Sequence, residues 1–185
     1  MNKEAEPMTV YAFELRFSAP AGDEVIDALY EAGWDDAVVS FDPDIGGEGT
    51  AIFDREAASA VKAVASAIAQ GRGAGIEITG VSEDLVTLKE IAERTGRSFA
   101  TADHWASGRR GDGGFPKPRV PRARVSLYSW AEVAVWLHEH GLAGVSPADV
   151  EIARICEVAD SMIRSQRLQA ALPSRDRHDL RRAVA

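Results

Sequence analysis

The hydrophobic period of the sequence changes near Ser82, and this change limits the fold more than any other feature. Before it, strand-like and helix-like segments alternate; after it, helical segments are separated by short turns. Met8–Phe17 alternates apolar with polar residues, as a strand does when one face is buried. Asp23–Ala32 instead places its apolar residues on one side of a helix and is followed by Gly33. We therefore expect two structural units that meet near residue 82.

The first unit, residues 8–81, has a distinctive order of segments. After the first strand and helix come strands at Ala37–Phe41 and Thr50–Phe53, then an alanine-rich helix with Asp54 as its expected N-cap. Gly75–Val81 is the last predicted strand. The order β-α-β-β-α-β is that of a split βαβ unit, whose helices cover one face of a four-stranded antiparallel sheet. The sequence therefore predicts an α+β protein with a ferredoxin-like domain over 8–81.

The second unit, residues 82–142, begins with two short helices. Thr87 and Glu90 form a predicted capping box, because each side chain satisfies a backbone N–H of the other residue. A turn at Gly96 follows, and Ser98 is the expected cap of the second helix. Two short helices joined by a glycine-containing turn predict a helix-turn-helix.

A small β-hairpin, or wing, is expected next, with strands at Phe115–Val120 and Arg124–Tyr128, before a helix capped by Ser129. A long helix then occupies about 147–172 and needs a partner for its apolar stripe, which is Val150, Ile155, Ala159, Met162 and Ile163. That partner is either the chain's own domain or a second subunit, and we expect a homodimer. The basic tail, residues 173–185, is interpreted as either a disordered DNA arm or a soluble end.

Charge is divided unevenly along the chain. The net charge of the whole sequence is −8, but residues 1–81 alone carry five basic and fifteen acidic side chains, a net of −10. Residues 97–128 carry seven basic and two acidic side chains, a net of +5. Because salt screens charges beyond roughly 10 Å, a phosphate backbone near this basic segment is little affected by the acidic unit. Overall acidity therefore does not exclude a nucleic-acid partner.

Several other classes of protein are disfavoured by the sequence. It has no run of about 20 apolar residues for a membrane span and no signal-like start, so a cytoplasmic protein is expected. The loop from Asp42 to Glu48 lacks the closing glutamate of an EF-hand, and the single cysteine, Cys156, lies on the apolar side of a predicted helix. We expect no metal, no cofactor and no catalytic residues, and hence a protein that is not an enzyme.

Residues 84–140 carry a family resemblance. The run Val86-Thr-Leu-Lys-Glu-Ile-Ala-Glu-Arg-Thr-Gly96 is followed by Gly114-Phe-Pro-Lys-Pro118 and by Trp130-Ala-Glu-Val-Ala-Val-Trp136-Leu. In this order and spacing it resembles the winged helix-turn-helix of MerR-like and AlpA (excisionase-like) DNA-binding proteins. The resemblance implies sequence-specific binding of duplex DNA by a regulator of transcription or recombination. Its Gly-rich turn, Arg109–Gly114, is longer than in compact excisionases.

The resemblance also implies which side chains meet DNA. From the second helix and its cap these are Arg97, Ser98, Thr101 and His104, of which Thr101 is placed to face base edges. From the Gly-rich turn and the wing they are the mainly phosphate-binding Arg109, Arg110, Lys117, Arg119, Arg122 and Arg124. Phe115, Trp105, Trp130 and Trp136 are assigned to the small core that positions these contacts.

A second interpretation belongs to a different class of protein. The acidic first unit is expected to bind either a small molecule or a protein. If it binds a basic protein, the chain is an interaction adaptor, such as an antitoxin or a phage-related inhibitor, and the helix-turn-helix is secondary. DNA binding and partner capture are thus the two alternatives that the sequence leaves open.

Overall fold

A four-stranded sheet forms the first half of the molecule. The computed structural model describes residues 8–42, 44, 46–82, 84–109 and 113–184. Its first six elements are β1 (Thr9–Ser18), α1 (Asp23–Glu31), β2 (Ala37–Phe41), β3 (Glu48–Ala57), α2 (Ala60–Gly73) and β4 (Glu77–Val81). The strands lie in the order β2-β3-β1-β4, and each neighbouring pair is antiparallel. The predicted α+β class and the four-stranded antiparallel sheet are confirmed.

The main core lies on one face of this sheet. Alternate residues of β1, from Tyr11 to Phe17, are buried, as are their neighbours on β3. Phe13 stacks on Phe53 with ring centroids 4.8 Å apart, and Trp34 meets Phe53 edge-on at 5.1 Å. Such aromatic pairs add about 0.5–1.5 kcal/mol beyond the burial of their area. The alternation that predicts β1 therefore also predicts which side chains form the core.

Two predicted boundaries in this half are wrong. Asp54 is not a helix cap, because pairing with β1 extends β3 beyond it to Ala57. Ser59 caps α2 instead, with its hydroxyl accepting a backbone N–H three residues later. β4 begins at Glu77 rather than at Gly75, because Gly75 closes the turn after α2 with a φ of +82°, which glycine adopts without strain.

The second half has its own small core. Its elements are β5 (Leu85–Val86), α3 (Leu88–Arg94), α4 (Phe99–Ala106), β6 (Tyr128–Ser129) and α5 (Trp130–Glu139). The predicted capping box is present, since Thr87 Oγ1 accepts the Glu90 N–H and Glu90 accepts the Thr87 N–H at 2.7 Å. This bond from the Thr87 N–H holds the pKa of Glu90 below its usual value. The core itself comprises Val86, Ile91, Ala92, Ala102, Trp105, Tyr128, Val133, Trp136 and Leu137.

Most of the pairing predicted for the wing is absent from the described residues. Between Phe115 and Tyr128 they form an isolated bridge, Val120 with Leu127, closed by backbone hydrogen bonds of 3.1 and 3.0 Å. The three prolines of this segment have no N–H to donate to a longer ladder. Tyr128 belongs instead to β6, which pairs antiparallel with β5. We call the described residues 113–127 the arginine loop.

A long helix connects the two cores. α6 (Pro147–Ala170) contacts α2, β1 and β4 on one side and α5 on another. Three residues of its predicted stripe pack against the sheet core, namely Ile155, Ala159 and Ile163, whereas Met162 is 58% exposed. Most of the stripe is therefore covered within the chain. The tail contains a further exposed helix, α7 (Ser174–Val184), so of the two alternatives for the tail these residues do not support the disordered arm.

Candidate nucleic-acid interface

The turn between α3 and α4 fixes one helix relative to the other. Gly96 turns the chain with a φ of +61°, a conformation that is open to glycine. The Arg97 N–H donates to the Ala92 carbonyl at 2.9 Å, and the buried Thr95 hydroxyl donates to the Ile91 carbonyl at 2.7 Å. Ile91 and Ala92 are themselves buried in the small core. The helix pair is thus held both by hydrogen bonds and by packing.

α4 has a buried and an outward face. Ala102 and Trp105 are buried in the small core. At 3.6 residues per turn, the opposite side of the helix carries Ala100, Asp103 and His104. Ala100 is exposed, and Asp103 and His104 are half-buried. The predicted contact residue His104 therefore lies on the side that faces away from the core.

The first turn of α4 carries the other contacts predicted for this helix. Arg97 and Ser98 are exposed. Ser98 Oγ accepts the Thr101 N–H at 3.2 Å, as predicted for the cap, and also lies 3.0 Å from the Thr101 hydroxyl. The half-buried Thr101 side chain therefore serves the cap. Phe99 is 57% exposed and is not among the predicted contacts, although an apolar residue outside the buried stripe of a short helix is a usable signal.

The arginine loop and the turn before it carry most of the predicted phosphate contacts. Exposed side chains are those of Arg109, Lys117, Arg122 and Arg124. Arg119 is exposed as well, but its guanidinium donates to the Glu157 carboxylate of α6 at 2.6 Å. A phosphate would compete with this ion pair. Arg110 lies outside the described residues.

Aromatic side chains attach the start of the arginine loop to α5. The Trp136 indole N–H donates to the Gly113 carbonyl at 2.9 Å. The Phe115 ring packs edge-on against Trp136 at 5.0 Å and against Tyr128 at 5.7 Å. Trp136 also lies 5.8 Å from Trp105 of α4. The loop and α4 therefore share one aromatic support, as predicted for Phe115, Trp105 and Trp136.

Trp130 packs against the edge of this core, as predicted. It is half-buried, and the Arg94 guanidinium lies 4.9 Å from its ring centroid. Both carboxylate oxygens of Asp84 accept hydrogen bonds from Arg94, which places the guanidinium over the ring. Trp130 lines a cavity of about 640 Å³ between the sheet and the helical unit.

Cys156 lies in the wall of that cavity. Burial raises the pKa of its thiol to about 12, and the nearby negative charge of Asp84 adds to the effect. Such a thiol stays protonated near neutral pH and is a poor nucleophile. Within the described ranges, no group of three or more His, Cys, Asp or Glu side chains is placed to hold a metal ion. No described helix combines the length and the apolar character needed to cross a bilayer.

The site described above can therefore bind through guanidinium groups, helix-terminal N–H groups and an exposed phenyl ring. Comparison of the chain with protein-family models, with curated proteins and with solved structures gives no match. Its function must be inferred from its own residues.

Proposed function

We propose that this chain is a sequence-specific regulator of transcription or recombination that binds duplex DNA through a MerR/AlpA-like winged helix-turn-helix at residues 84–140. The observation that carries the proposal is the common support of α4 and the arginine loop, which are both attached to Trp136. DNA readers combine a helix on a rigid scaffold with cations that bind the phosphate backbone. The exposed first turn of α4 and the exposed loop arginines supply these two parts.

Each group in the site has a proposed role. Arg97 and the free N–H groups of the first turn of α4 bind a phosphate, because a helix N-terminus favours anions. His104 and Asp103 read base edges from the outward face, and Phe99 contacts a thymine methyl group. The loop arginines, together with Arg109 and Lys117, bind backbone phosphates on either side of α4 and so set the position of α4 along the duplex.

The rest of the chain supports a modular regulator. The strand order β2-β3-β1-β4, with both connecting helices at the predicted places in the chain, supports a ferredoxin-like domain for residues 8–81. We propose that this domain binds a small-molecule or protein ligand. A homodimer would present two α4 helices to paired half-sites, and exposed Val158 and Met162 of α6 are available for the contact.

The test is selection of random duplex DNA by the full-length protein at two salt concentrations. A reproducible enriched motif supports the proposal, and a palindromic motif supports the dimer as well. His104→Ala should change the preferred bases, whereas the matched control His178→Ala, on the exposed face of α7, should leave the motif unchanged. Weak enrichment that disappears at the higher salt concentration would refute sequence-specific binding.

A second candidate, the protein-interaction adaptor, is favoured by the other face of the sheet. Val38 and Ile52 are directly paired across β2 and β3 and are 70% and 53% exposed. Asp54 and Glu56, the next residues on the same face of β3, are exposed as well. This acidic and apolar surface suits a basic protein partner. Retrieval by the full-length chain of one small basic protein, abolished by Ile52→Asp with Asp54→Lys but not by Arg122→Ala, would favour this function.

A further inference from the structure

Three arginines meet in a second cavity, away from the predicted DNA contacts. The cavity has a volume of about 400 Å³ and lies where the end of β4 meets the second half of α6. Its walls include Arg16 of β1, Arg164 and Arg167 of α6, and the side chains of Thr79 and Ser82.

Arg16 is held by a buried carboxylate. Its Nη2 donates to Asp160 Oδ1 at 2.8 Å and to the Val81 carbonyl at 3.3 Å. Asp160 is only 6% exposed, and the same Oδ1 accepts the Val81 N–H at 3.1 Å. A buried carboxylate is costly unless it is paired and hydrogen-bonded, and Asp160 meets both conditions. Because the side chain of Arg16 remains 48% exposed, Asp160 fixes the guanidinium without enclosing it.

The backbone leaves room for this pair at Gly80. A Cβ atom at that position would lie 2.6 Å from both Arg16 Nη2 and Asp160 Oδ1, so the ion pair would have to shift to admit a side chain. The φ of Gly80 is not in the left-handed region, so the space taken by the ion pair explains the glycine. The glycine at position 80 thus leaves the space that the ion pair between Arg16 and Asp160 occupies.

The other two arginines leave the cavity with an excess of positive charge. Arg167 donates to the Thr79 carbonyl at 3.4 Å and pairs with Glu77 at 3.2 Å. Arg164 is exposed and has no hydrogen bond or ion pair with any described residue. Asp160 and Glu77 therefore pair with two of the three guanidinium groups, and Arg164 has no ion pair with a described residue.

We propose that this cavity binds a phosphoryl group. The planar fork of guanidinium donors matches phosphate oxygens, and the Thr79 hydroxyl adds a further donor. The Ser82 hydroxyl already donates to the Glu14 carboxylate. Positioning by Asp160 lowers the entropy that Arg16 loses on binding. The group belongs either to a small phosphorylated ligand or to the backbone of bound DNA, and the two sources share this chemistry. The inference stands on β1, β4 and α6 and does not depend on the helix-turn-helix.

The first experiment titrates the full-length protein with inorganic phosphate and, separately, with pyrophosphate, by isothermal calorimetry. The key variant is Arg164→Gln, because Arg164 has no partner in the described fold and its loss should not disturb folding. We expect saturable binding, weakened at least tenfold by Arg164→Gln. The matched control Arg175→Gln, on exposed α7, removes the same charge and should leave the affinity unchanged. Arg16→Lys keeps a charge beside Asp160 but removes the fork, and an intermediate loss is expected.

A second arm identifies the source of the phosphoryl group. If the source is DNA, Arg164→Gln should reduce the slope of log affinity against log salt by about one for a duplex, while Arg175→Gln does not. If the source is a small ligand, the phosphate titration responds and the duplex slope does not. The proposal is overturned if neither measurement responds to Arg164→Gln, or if Arg175→Gln causes an equal loss in both. Failure of the DNA selection alone leaves the phosphate result standing.

Discussion

Removing two arginines from the arginine loop should flatten the salt dependence of DNA binding by a calculable amount. The predicted phosphate contacts that are exposed and form no ion pair with a described residue are Arg97, Arg109, Lys117, Arg122 and Arg124. Each neutralised phosphate contributes about 0.9 to the slope of log affinity against log salt, so these five give a slope of about −4.5. Replacing Arg122 and Arg124 by Ala should reduce it to about −2.7. The affinity for all sequences should fall together, because phosphate contacts carry no base information.

The assay is fluorescence anisotropy of a labelled duplex with full-length protein, over salt concentrations from about 50 to about 200 mM, where the slope is well defined. The matched control is the double variant Lys62→Ala with Arg72→Ala, which removes two positive charges from α2 of the sheet unit. Arg119→Ala should change the slope less than Arg122→Ala or Arg124→Ala, because the Arg119 guanidinium is already paired with Glu157. The contact assignment is refuted if the control flattens the slope as much as the loop variant, or if the loop variant leaves it at the wild-type value.

Three further predictions concern stability and reactivity. Arg55 is 6% exposed and donates to both carboxylate oxygens of Asp36 at 2.7–2.8 Å. Arg55→Met should therefore lower the free energy of unfolding, measured by urea titration, by about 3–5 kcal/mol. A loss below about 1 kcal/mol would contradict a buried ion pair. Cys156, with its pKa raised from 9.0 to about 12, should react slowly with a thiol reagent in the native protein and quickly in urea. Because the unfolded thiol loses its proton first, stability should fall as the pH rises from about 9 towards 12, and a smaller fall in Cys156→Ser would confirm the contribution of the thiol.

Features that depend on neighbouring residues could be predicted from the sequence. The caps at Thr87 and Ser98 each join a side chain to a backbone N–H three residues later, so their pattern is visible in a short window. The alternation of β1 likewise gives both its conformation and its buried face. Asp54 shows the limit of such patterns. It has the sequence context of a helix cap, but it pairs with β1 as part of β3.

Features that join distant residues could not be predicted. β6 pairs with β5, which lies before α3 in the chain, and this pairing takes Tyr128 away from the expected wing. The ion pair between Arg119 and Glu157 links the arginine loop to α6, so one residue of the basic run is paired with a carboxylate 38 positions away. The contact between Arg16 and Asp160 spans most of the chain. Composition predicts that such charges exist, but only the packing of α6 decides which of them meet.

The position of α6 in the chain also has a consequence for biosynthesis. The strands and helices of the sheet unit are complete at Val81, yet Ile163 is buried in the core of that unit. A ribosome releases the sheet long before it releases α6, and during that interval the surface that α6 later covers faces water. Nascent sheet units are thus exposed to aggregation or to capture by a chaperone until α6 arrives. The unit that is synthesised first is therefore the last to complete its core.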